Sequence, residues 1–269
     1  MSMSATFESS DHTFAICAYR ESPYLGDCIE SLKGQSVATN IIMTTATPNA
    51  YLEALAAQFG IPYHINDAAP GIASDWNFAY DKAQTKLVTI AHQDDVYCRE
   101  YAASALAQIN GSADPLIFFT NYGELRNNQQ TDNNRILGVK RLLLKPLESP
   151  SRQGSVFWRR RVLSLGAAIC CPSVTMVKDV LPMPLFREGF KTNLDWDAWE
   201  RVSLLTGDFL YNPEILMYHR IHEKSATTEF IKDATRSRED ESLFRRFWPG
   251  PIAKLINMVY AQSQKSNTL

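Results

Sequence analysis

Short apolar runs alternate with amphipathic segments along the first half of the chain. Apolar runs, several rich in β-branched residues, predict buried strands, and apolar residues at every third or fourth position predict helices. The predicted strands are residues 13–18, 41–45, 62–65, 87–91 and 116–121. The predicted helices are residues 22–34, 48–60, 71–83 and 99–109. Ser22 would cap the first helix, with Pro23 at its first position. This alternation predicts an α/β fold with a mostly parallel, doubly wound sheet flanked by helices.

The pattern is less regular in the second half of the chain. Residues 126–134 are rich in Asn and Gln, which predicts a mobile surface loop. Residues 135–161 are strongly basic, and Glu148 is the one acidic residue among them. Beyond them we predict a strand at 169–177 that is interrupted near Pro172, a helix at 194–206 and a strand at 214–219.

The C-terminal part of the chain is predicted to be helical. A charged helix starts near residue 233 and leads into an amphipathic helix at residues 252–262. We therefore divide the chain into a main domain, residues 1–232, and a C-terminal helical extension, residues 233–269. The apolar face of the last helix can either pack on the domain or lie at a membrane surface. That face consists of Ile252, Leu255, Ile256 and Val259.

The stretch KLVTIAHQDDVY, from Lys86 to Tyr97, is the strongest candidate for chemistry. Its apolar run ends abruptly in a polar group that contains His92, Asp94 and Asp95. Ligands of open α/β sheets bind at the carboxyl ends of strands, where this group would lie. Adjacent carboxylates repel each other unless a cation neutralises them, and oxygen ligands suit Mg²⁺ or Mn²⁺. The alternative is a solvated turn in which one Asp caps the following helix.

The composition narrows the class of protein. The chain has 269 residues, of which 45% are hydrophobic and 21% charged, and its net charge of -2 gives no sign of nucleic-acid binding. Five cysteines without C-x-x-C spacing argue against a zinc site or a disulfide framework, and they fit a reducing cytoplasm. The N-terminus lacks a signal-peptide pattern, and no apolar run reaches the about 18–20 residues that span a bilayer. We therefore expect a cytoplasmic protein, with the inner face of the membrane as one candidate location.

Five segments, in this order, resemble the family 2 glycosyltransferases. They are AYRESPYLGDCIESLKGQS after the first strand, the helix GIASDWN, the strand end HQDDVY, the helix start LDWDAWER and the segment HRIHEKSAT. The resemblance extends over residues 13–225. It implies a GT-A fold and an inverting enzyme that transfers a sugar from a nucleotide-sugar donor.

The resemblance also implies a general base and a metal site. Asp195 would be the base that accepts the proton of the acceptor hydroxyl, and Asp197 would point elsewhere on the same helix. The alternative for both is a first-turn acid stabilised by the helix dipole. Asp94, Asp95 and His222 would hold Mg²⁺ or Mn²⁺, which stabilises the charge that develops on the leaving diphosphate.

A larger set of residues is implied for binding the nucleotide sugar. Tyr19 would stack on the base, Glu21 would accept from the ribose, and Arg220 would pair with phosphate oxygens. The full set is Ala18, Tyr19, Glu21, Asp75, Asn77, His92, Asp94, Asp95 and Arg220.

Three departures from the family pattern leave an alternative open. His92 stands where the family has the first Asp of its D-x-D motif, and Leu194 replaces the acidic residue before the base. The second strand ends in TTATPN, where many relatives have an Asp-rich turn. The alternative is a catalytically silent nucleotide-sugar-binding or assembly subunit. A nucleotidyltransferase is disfavoured, because AYRESP is not a Gly- and Arg/Lys-rich phosphate loop.

The predicted partners follow from these assignments. The donor would be a UDP- or dTDP-sugar, the transferred group a hexose, and the acceptor a glycan or a lipid pyrophosphate in polysaccharide biosynthesis. The basic residues 135–161 would suit an anionic acceptor of this kind. We expect no nucleic-acid partner, and we carry peripheral membrane contact and a homodimer as further candidates.

Overall fold

A computed structural model gives the fold of residues 6–69, 71–222 and 235–265. The strands in these ranges are β1 (His12–Cys17), β2 (Asn40–Thr45), β3 (Tyr63–Ile65), β4 (Leu87–His92), β5 (Val96–Tyr97), β6 (Pro115–Arg126), β7 (Gln129–Thr131), β8 (Val174–Val177) and β9 (Asp208–Ile221). The helices are α1 (Leu25–Lys33), α2 (Ala50–Phe59), α3 (Ile72–Lys82), α4 (Tyr101–Gly111), α5 (Arg135–Leu144), α6 (Pro150–Gln153), α7 (Val156–Leu163), α8 (Leu194–Val202), α9 (Thr235–Phe244) and α10 (Gly250–Lys265). The predicted α/β class is confirmed.

The strands of the described residues form one sheet in the order β3-β2-β1-β4-β8-β6-β9-β5, with β7 paired to β6. The strands β3, β2, β1 and β4 are parallel to one another, as the alternating pattern predicts. β8 is antiparallel to both β4 and β6, whereas β9 is parallel to β6 and antiparallel to β5. The sheet is therefore parallel in its N-terminal part and mixed beyond β4.

Side chains of the central strand β4 pack in two hydrophobic cores, one on each face of the sheet. Because alternate residues of a strand face opposite sides of a sheet, Val88 and Ile90 join one apolar cluster, and Leu87 and Ala91 join the other. The first cluster includes residues of α3, α7, α8, α9 and α10. The second includes residues of α1, α2 and α4. Helices therefore cover both faces, as a doubly wound sheet requires.

The carboxyl end of β4 meets the end of β9. β1 and β4 finish side by side, since Cys17 pairs with His92. The chain then turns into β5, in which Val96 pairs with Tyr218 of β9. This pairing places the last residues of β9 beside the polar group that follows β4, and it brings the predicted metal and phosphate ligands together.

Two local predictions are wrong. Residues 126–134 do not form a mobile loop, because β6 continues to its hairpin with β7. Asn127 and Asn128 make that turn with φ angles of 48° and 61°, a left-handed conformation that short polar Asn side chains tolerate. Ser22 does not cap the first helix either, since α1 begins at Leu25. The Ser22 hydroxyl has another partner at the site described below.

The basic residues 135–161 lie mainly on α5, α6 and α7, and several of them are structural. Arg159 is completely buried and donates to Gly207 O at 2.5 Å and to Leu205 O at 2.7 Å. Arg160 pairs with Glu200 of α8 at 2.5 Å. The run is therefore neither a solvated loop nor one continuous anion-binding surface.

The C-terminal helices pack on the helical layer that contains α8. The rings of Phe244 in α9 and Trp196 in α8 meet edge to face with their centroids 5.0 Å apart. In α10, Ala253 is buried, whereas Leu255 and Val259 are 59% and 63% exposed. The last helix thus has a packed side and an apolar side that faces solvent. The domain boundary at residue 232 stays a prediction.

Two further findings concern membrane-spanning helices and the cysteines. No described helix is both long enough and apolar enough to cross a membrane. All five cysteines are free thiols.

Truncation of Phe244 tests how far the C-terminal helices belong to the folded unit. Phe244 is completely buried against Trp196, so Phe244→Ala should lower the free energy of unfolding by about 3–5 kcal/mol. The exposed Leu255 provides the control, and Leu255→Ala should stay within about 0.5 kcal/mol of the parent protein. Chemical denaturation followed by tryptophan fluorescence measures both. Equal stabilities for the two variants would mean that α9 is not part of the cooperative unit.

Candidate active site

The loop after β1 is held by the residue that follows β4. The N–H of Tyr19 donates to Gln93 Oε1 at 2.9 Å, and Gln93 Nε2 donates to Tyr19 O at 3.1 Å. Arg20 adopts a left-handed φ of 54°, and its N–H donates to Thr47 Oγ1 at 2.7 Å. The Tyr19 ring is 46% exposed, with the Arg20 guanidinium 4.9 Å from its centroid. The loop therefore presents a half-exposed aromatic side chain on a fixed backbone.

The other two predicted residues of this loop differ in access. Ala18 is buried, and its N–H donates to Thr44 O at 2.8 Å. Glu21 is exposed. Of the two, only Glu21 presents a side chain to a ligand.

Asp94 joins three segments of the chain. Its Oδ1 accepts from Ser22 Oγ at 2.6 Å, and its Oδ2 lies 3.0 Å from His222 Nε2. The Asp94 and His222 side chains are 21% and 17% exposed, so solvent and ligands can reach the pair. The Tyr24 ring lies 5.1 Å from the His222 ring and packs on it at a tilt. The loop after β1, the end of β4 and the end of β9 therefore converge on one carboxylate.

Asp95 faces the interior instead. It is completely buried, and its Oδ1 accepts from His219 Nδ1 at 2.8 Å and from Arg220 N at 3.0 Å. Burial favours a raised pKa for Asp95, but the charge and hydrogen bond of His219, with His92 and the Arg220 N–H, lower that pKa overall. Burial likewise favours a lowered pKa for His219, and Asp95 raises it overall. Asp95 and His219 form an ion pair that fastens β9 to the end of β4.

Arg220 is bound on every side by the protein. Its guanidinium donates to Asp94 O at 2.9 Å, to Asn128 Oδ1 at 2.5 Å and to Asp27 Oδ2 at 3.0 Å. It also lies 4.2 Å from the centroid of the Tyr24 ring and is only 3% exposed. In this arrangement Arg220 stabilises the site through contacts within the protein. Its predicted contact with phosphate would require the guanidinium to give up some of these partners.

His92 is stacked on an aromatic ring. The imidazole lies 5.1 Å from Trp76, with 25° between the ring planes. Burial lowers the pKa of His92 and outweighs the neighbouring carboxylates Asp95 and Asp94, so the ring is neutral. Its Nε2 is buried and has no hydrogen-bond partner in the described residues. Trp76, which α3 contributes, therefore covers this side of the β4 end.

Helix α3 carries two further predicted residues. Asp75 accepts from Asn66 Nδ2 at 2.9 Å, and burial raises the pKa of Asp75. Asn77 binds the backbone of Phe186 in both directions, through Nδ2 to O at 2.6 Å and through Oδ1 from N at 3.0 Å. Asn77 therefore holds a neighbouring segment, and the structure does not bring it to the Asp94 group.

A cleft of about 420 Å³ opens beside the start of α3. One wall is the first turn of α3, and the other is residues 188–191, which lead toward α8. This cleft lies between the helix that carries the predicted donor-binding residues Asp75 and Asn77 and the segment that precedes the predicted base.

Asp195 and Asp197 differ sharply in their surroundings. Asp197 pairs with Arg201 Nε at 3.0 Å and with an Arg246 guanidinium nitrogen at 2.7 Å, so it is a structural ion-pair residue. Asp195 has no ion pair within 4.0 Å in the described residues, and its Oδ1 accepts from Trp196 N at 2.8 Å. Burial raises the pKa of Asp195, partly offset by that N–H and by more distant basic charges. A carboxylate with a raised pKa and spare oxygen valence suits a general base.

Cys170 and Cys171 are affected by the charges of both Asp95 and Asp195. Burial raises the pKa of each thiol, and the two carboxylates raise it further, while Lys140 partly offsets the effect at Cys170. Lys140 of α5 enters the same region, where its Nζ donates to Tyr122 OH at 2.8 Å. These contacts indicate that the end of β4 and the start of α8 border one region.

The residues near Asp94 fit a metal that has two protein ligands. Among the described residues, no group of three or more His, Cys, Asp or Glu side chains could hold a metal ion. Asp94 and His222 face each other at hydrogen-bond distance, and a carboxylate with an imidazole is a donor set that Mn²⁺ accepts. Asp95 does not fit this role as it lies, because it is buried and bound to His219. The remaining ligands would come from the donor diphosphate.

Several residues of the site were not predicted in these roles. Gln93 fixes Tyr19, Ser22 fixes Asp94, and His219 completes the Asp95 ion pair. Gln93 and His219 stand within the polar groups that were singled out, so position alone could have suggested them. Ser22 looked like a helix cap, and only its contact with Asp94 across 72 positions reveals its role.

The comparison with protein families agrees with this geometry. The model described as glycosyl transferase family 2 matches residues 13–165, more than half of the chain. The chain belongs to glycosyl transferase family 2. No protein in a search of curated sequences matches it significantly.

Solved structures share the fold of this chain. S. aureus TarS 1-349 in complex with UDP-GlcNAc is 12% identical, with a TM-score of 0.60, and the match covers 91% of this chain and 70% of that one. The mannosyltransferase PcManGT from Pyrobaculum calidifontis, in complex with GDP-Man and Mn²⁺, is 11% identical, with a TM-score of 0.62 and coverage of 94% and 70%. At such identities the likeness concerns the fold, and the predicted GT-A fold is confirmed.

Proposed function

We propose that this glycosyltransferase is an inverting hexosyltransferase that moves a sugar from a nucleotide sugar to a glycan or lipid-linked acceptor in polysaccharide biosynthesis. The observation that carries the proposal is the presence of two separate groups. One is the accessible carboxylate–imidazole pair of Asp94 and His222, and the other is Asp195, a carboxylate of raised pKa. Inverting transfer needs such a division, because the leaving diphosphate and the attacking hydroxyl stand on opposite sides of the sugar.

On the donor side, the chain supplies a base platform and a phosphate end. The exposed Tyr19 ring can stack on the nucleobase, and Glu21 can accept from the ribose. Asp94 and His222 would hold Mg²⁺ or Mn²⁺, which as a Lewis acid stabilises charge on the leaving diphosphate. A bound UDP-sugar in TarS and a bound GDP-sugar with Mn²⁺ in PcManGT support a nucleotide-sugar donor here. We keep a UDP- or dTDP-sugar as the expected donor.

On the acceptor side, Asp195 receives the proton of the attacking hydroxyl. For that it must be ionised when the acceptor binds and must lie within hydrogen-bond reach of the hydroxyl. Burial disfavours the ionised form of Asp195, and the positive charges of Lys140 and Arg236 partly offset this effect. Lys140 makes no ion pair in the described residues and lies near the base, so we propose that it also receives an anionic group of the acceptor, such as the phosphate of a lipid pyrophosphate.

Replacement of the base separates donor binding from transfer. Asp195→Asn keeps the shape of the side chain but cannot take a proton, so transfer should fall by about 10²–10⁴-fold while the Kd of the nucleotide sugar stays near the parent value. The raised pKa of Asp195 adds a second expectation. In the parent enzyme, kcat should rise with pH through a value above the ordinary Asp pKa of about 3.9.

Release of nucleoside diphosphate over a pH series measures both effects. Asp197→Asn is the matched comparison, because its loss should appear as lower stability through the ion pairs with Arg201 and Arg246. If Asp197→Asn retained stability and lost transfer while Asp195→Asn transferred normally, the base would be Asp197. A parent protein that binds nucleotide sugars and never releases the diphosphate would contradict the enzymatic proposal.

We further propose that α10 rests on an anionic membrane surface. Its apolar residues Ile252, Leu255, Met258 and Val259 are 45–63% exposed, its Lys254 is exposed, and its sequence contains no acidic residue. An apolar face with basic and no acidic charge fits anionic lipid. A cytoplasmic location at the inner membrane face would follow.

Co-sedimentation with vesicles tests this contact. At low salt the full chain should pellet with phosphatidylglycerol vesicles and not with phosphatidylcholine vesicles, and Leu255→Asp should weaken pelleting. Met183, exposed to 52% and outside α10, provides the control variant Met183→Asp. No pelleting with either lipid, or equal pelleting of the two variants, would contradict membrane contact through α10.

A further inference from the structure

The irregular segment before α8 donates hydrogen bonds to a carboxylate of α9. Residues 187–193 are neither helix nor strand, so their backbone N–H groups lack the partners that regular structure provides. The carboxylate of Glu239, only 8% exposed, accepts four hydrogen bonds from three consecutive residues of this segment. The donors are Lys191 N at 2.7 Å, Thr192 N at 3.0 Å, Thr192 Oγ1 at 2.6 Å and Asn193 N at 3.2 Å.

The neighbouring residue of α9 continues this contact to the start of α8. Asp240 is 1% exposed and accepts from Asn193 Nδ2 at 2.8 Å. Asn193 occupies the N-cap position of α8, and its carbonyl accepts the first helical hydrogen bond, from Asp197 N at 2.9 Å. Asp195 follows only two residues later. Two carboxylates of α9 therefore fix the point from which the helix of the base begins.

The contact extends along α8 and beyond it. Past the end of α9, Arg246 pairs with Asp197 at 2.7 Å and with Glu200 at 3.1 Å, and Phe244 packs on Trp196. The segment fixed by Glu239 also forms one wall of the 420 Å³ cleft, through residues 188–191. The position of α9 thus determines both the cleft wall and the orientation of the base helix.

We propose that Glu239 is a positioning residue for transfer, which holds residues 191–193 and thereby places Asp195 within reach of the acceptor hydroxyl. The inference rests on the proposed role of Asp195 as the base. A general base acts only within hydrogen-bond distance, and a displacement of about 1 Å can lower a rate by about 100-fold. The C-terminal extension therefore takes part in transfer by fixing the geometry of a residue more than 40 positions away.

The test replaces one oxygen of the carboxylate. In Glu239→Gln the side chain keeps its size, but its amide nitrogen is a donor and would face N–H groups. With UDP-GlcNAc or GDP-Man as donor probes, release of nucleoside diphosphate should fall by about 10- to 100-fold, while donor Kd changes less than about twofold. Glu241→Gln is the matched control, because Glu241 lies on the same helix and, within the part of the chain that the structure describes, forms its ion pair with Arg245 alone, at 2.7 Å. Glu241→Gln should leave the rate of nucleoside diphosphate release unchanged.

A double variant distinguishes positioning from a general structural role. If Glu239 acts through Asp195, Glu239→Gln should cause little further loss in an Asp195→Asn background, whereas independent effects would multiply. Should Glu239→Gln fail to fold, Thr192→Val removes only the 2.6 Å hydroxyl contact and should show a smaller loss of the same kind. If the losses from Glu239→Gln and Asp195→Asn multiplied in the double variant, the role of Glu239 would be refuted. Normal turnover in folded Glu239→Gln and Thr192→Val would refute it as well. Either result would leave the proposed function standing. A parent protein without turnover would refute the proposed function, and this inference with it.

Discussion

The ion pair between the buried Asp95 and the partly exposed His219 is the contact on which the rest of the site depends. It joins the end of β4 to β9 across 124 positions of sequence. Loss of His219 would leave the charge of Asp95 without its ion-pair partner in the interior, which is strongly unfavourable, so the two strand ends stay together. With β9 fixed there, Arg220 braces the carbonyl of Asp94, and His222 reaches the Asp94 carboxylate. The two adjacent acids of the QDD sequence thus differ: Asp95 is bound in the interior, and Asp94 is accessible to solvent.

This difference changes the interpretation of the two carboxylates. As a matching pair of metal ligands, both carboxylates would have to reach the same ion, but Asp95 is completely buried and is bound to His219 and to the Arg220 N–H. The accessible group is Asp94 with His222, and a metal with so few protein ligands depends on the oxygens of its substrate. Metal and donor are therefore expected to bind together. Where the family pattern has an Asp, this chain has His92, whose pKa is lowered by burial and whose ring is stacked on Trp76.

The sequence predicted the parts of the fold that local patterns encode. The parallel strands and their helices follow from runs such as Leu87–His92, and the site lies at the strand end where polar residues interrupt that run. Other features depend on contacts between distant residues. The apolar and charged content of α9 predicts a helix, but nothing local shows that Glu239 binds residues 191–193. Arg159 likewise belongs to a basic run by sequence, and only burial against Gly207 and Leu205 makes it structural.

The central claim is that Asp94 and His222 form the metal-dependent end of a nucleotide-sugar site. Isothermal titration of the full chain with UDP-, dTDP- and GDP-sugars, in Mn²⁺ and in excess chelator, tests it most directly. We expect at least one nucleotide sugar to bind only with Mn²⁺ and Asp94→Ala to weaken that binding by at least about tenfold, because loss of a residue that merely supports a metal ligand already weakens metal binding by about 10–100-fold. Binding of equal strength in chelator and in Asp94→Ala, or no binding of any nucleotide sugar, would contradict the account.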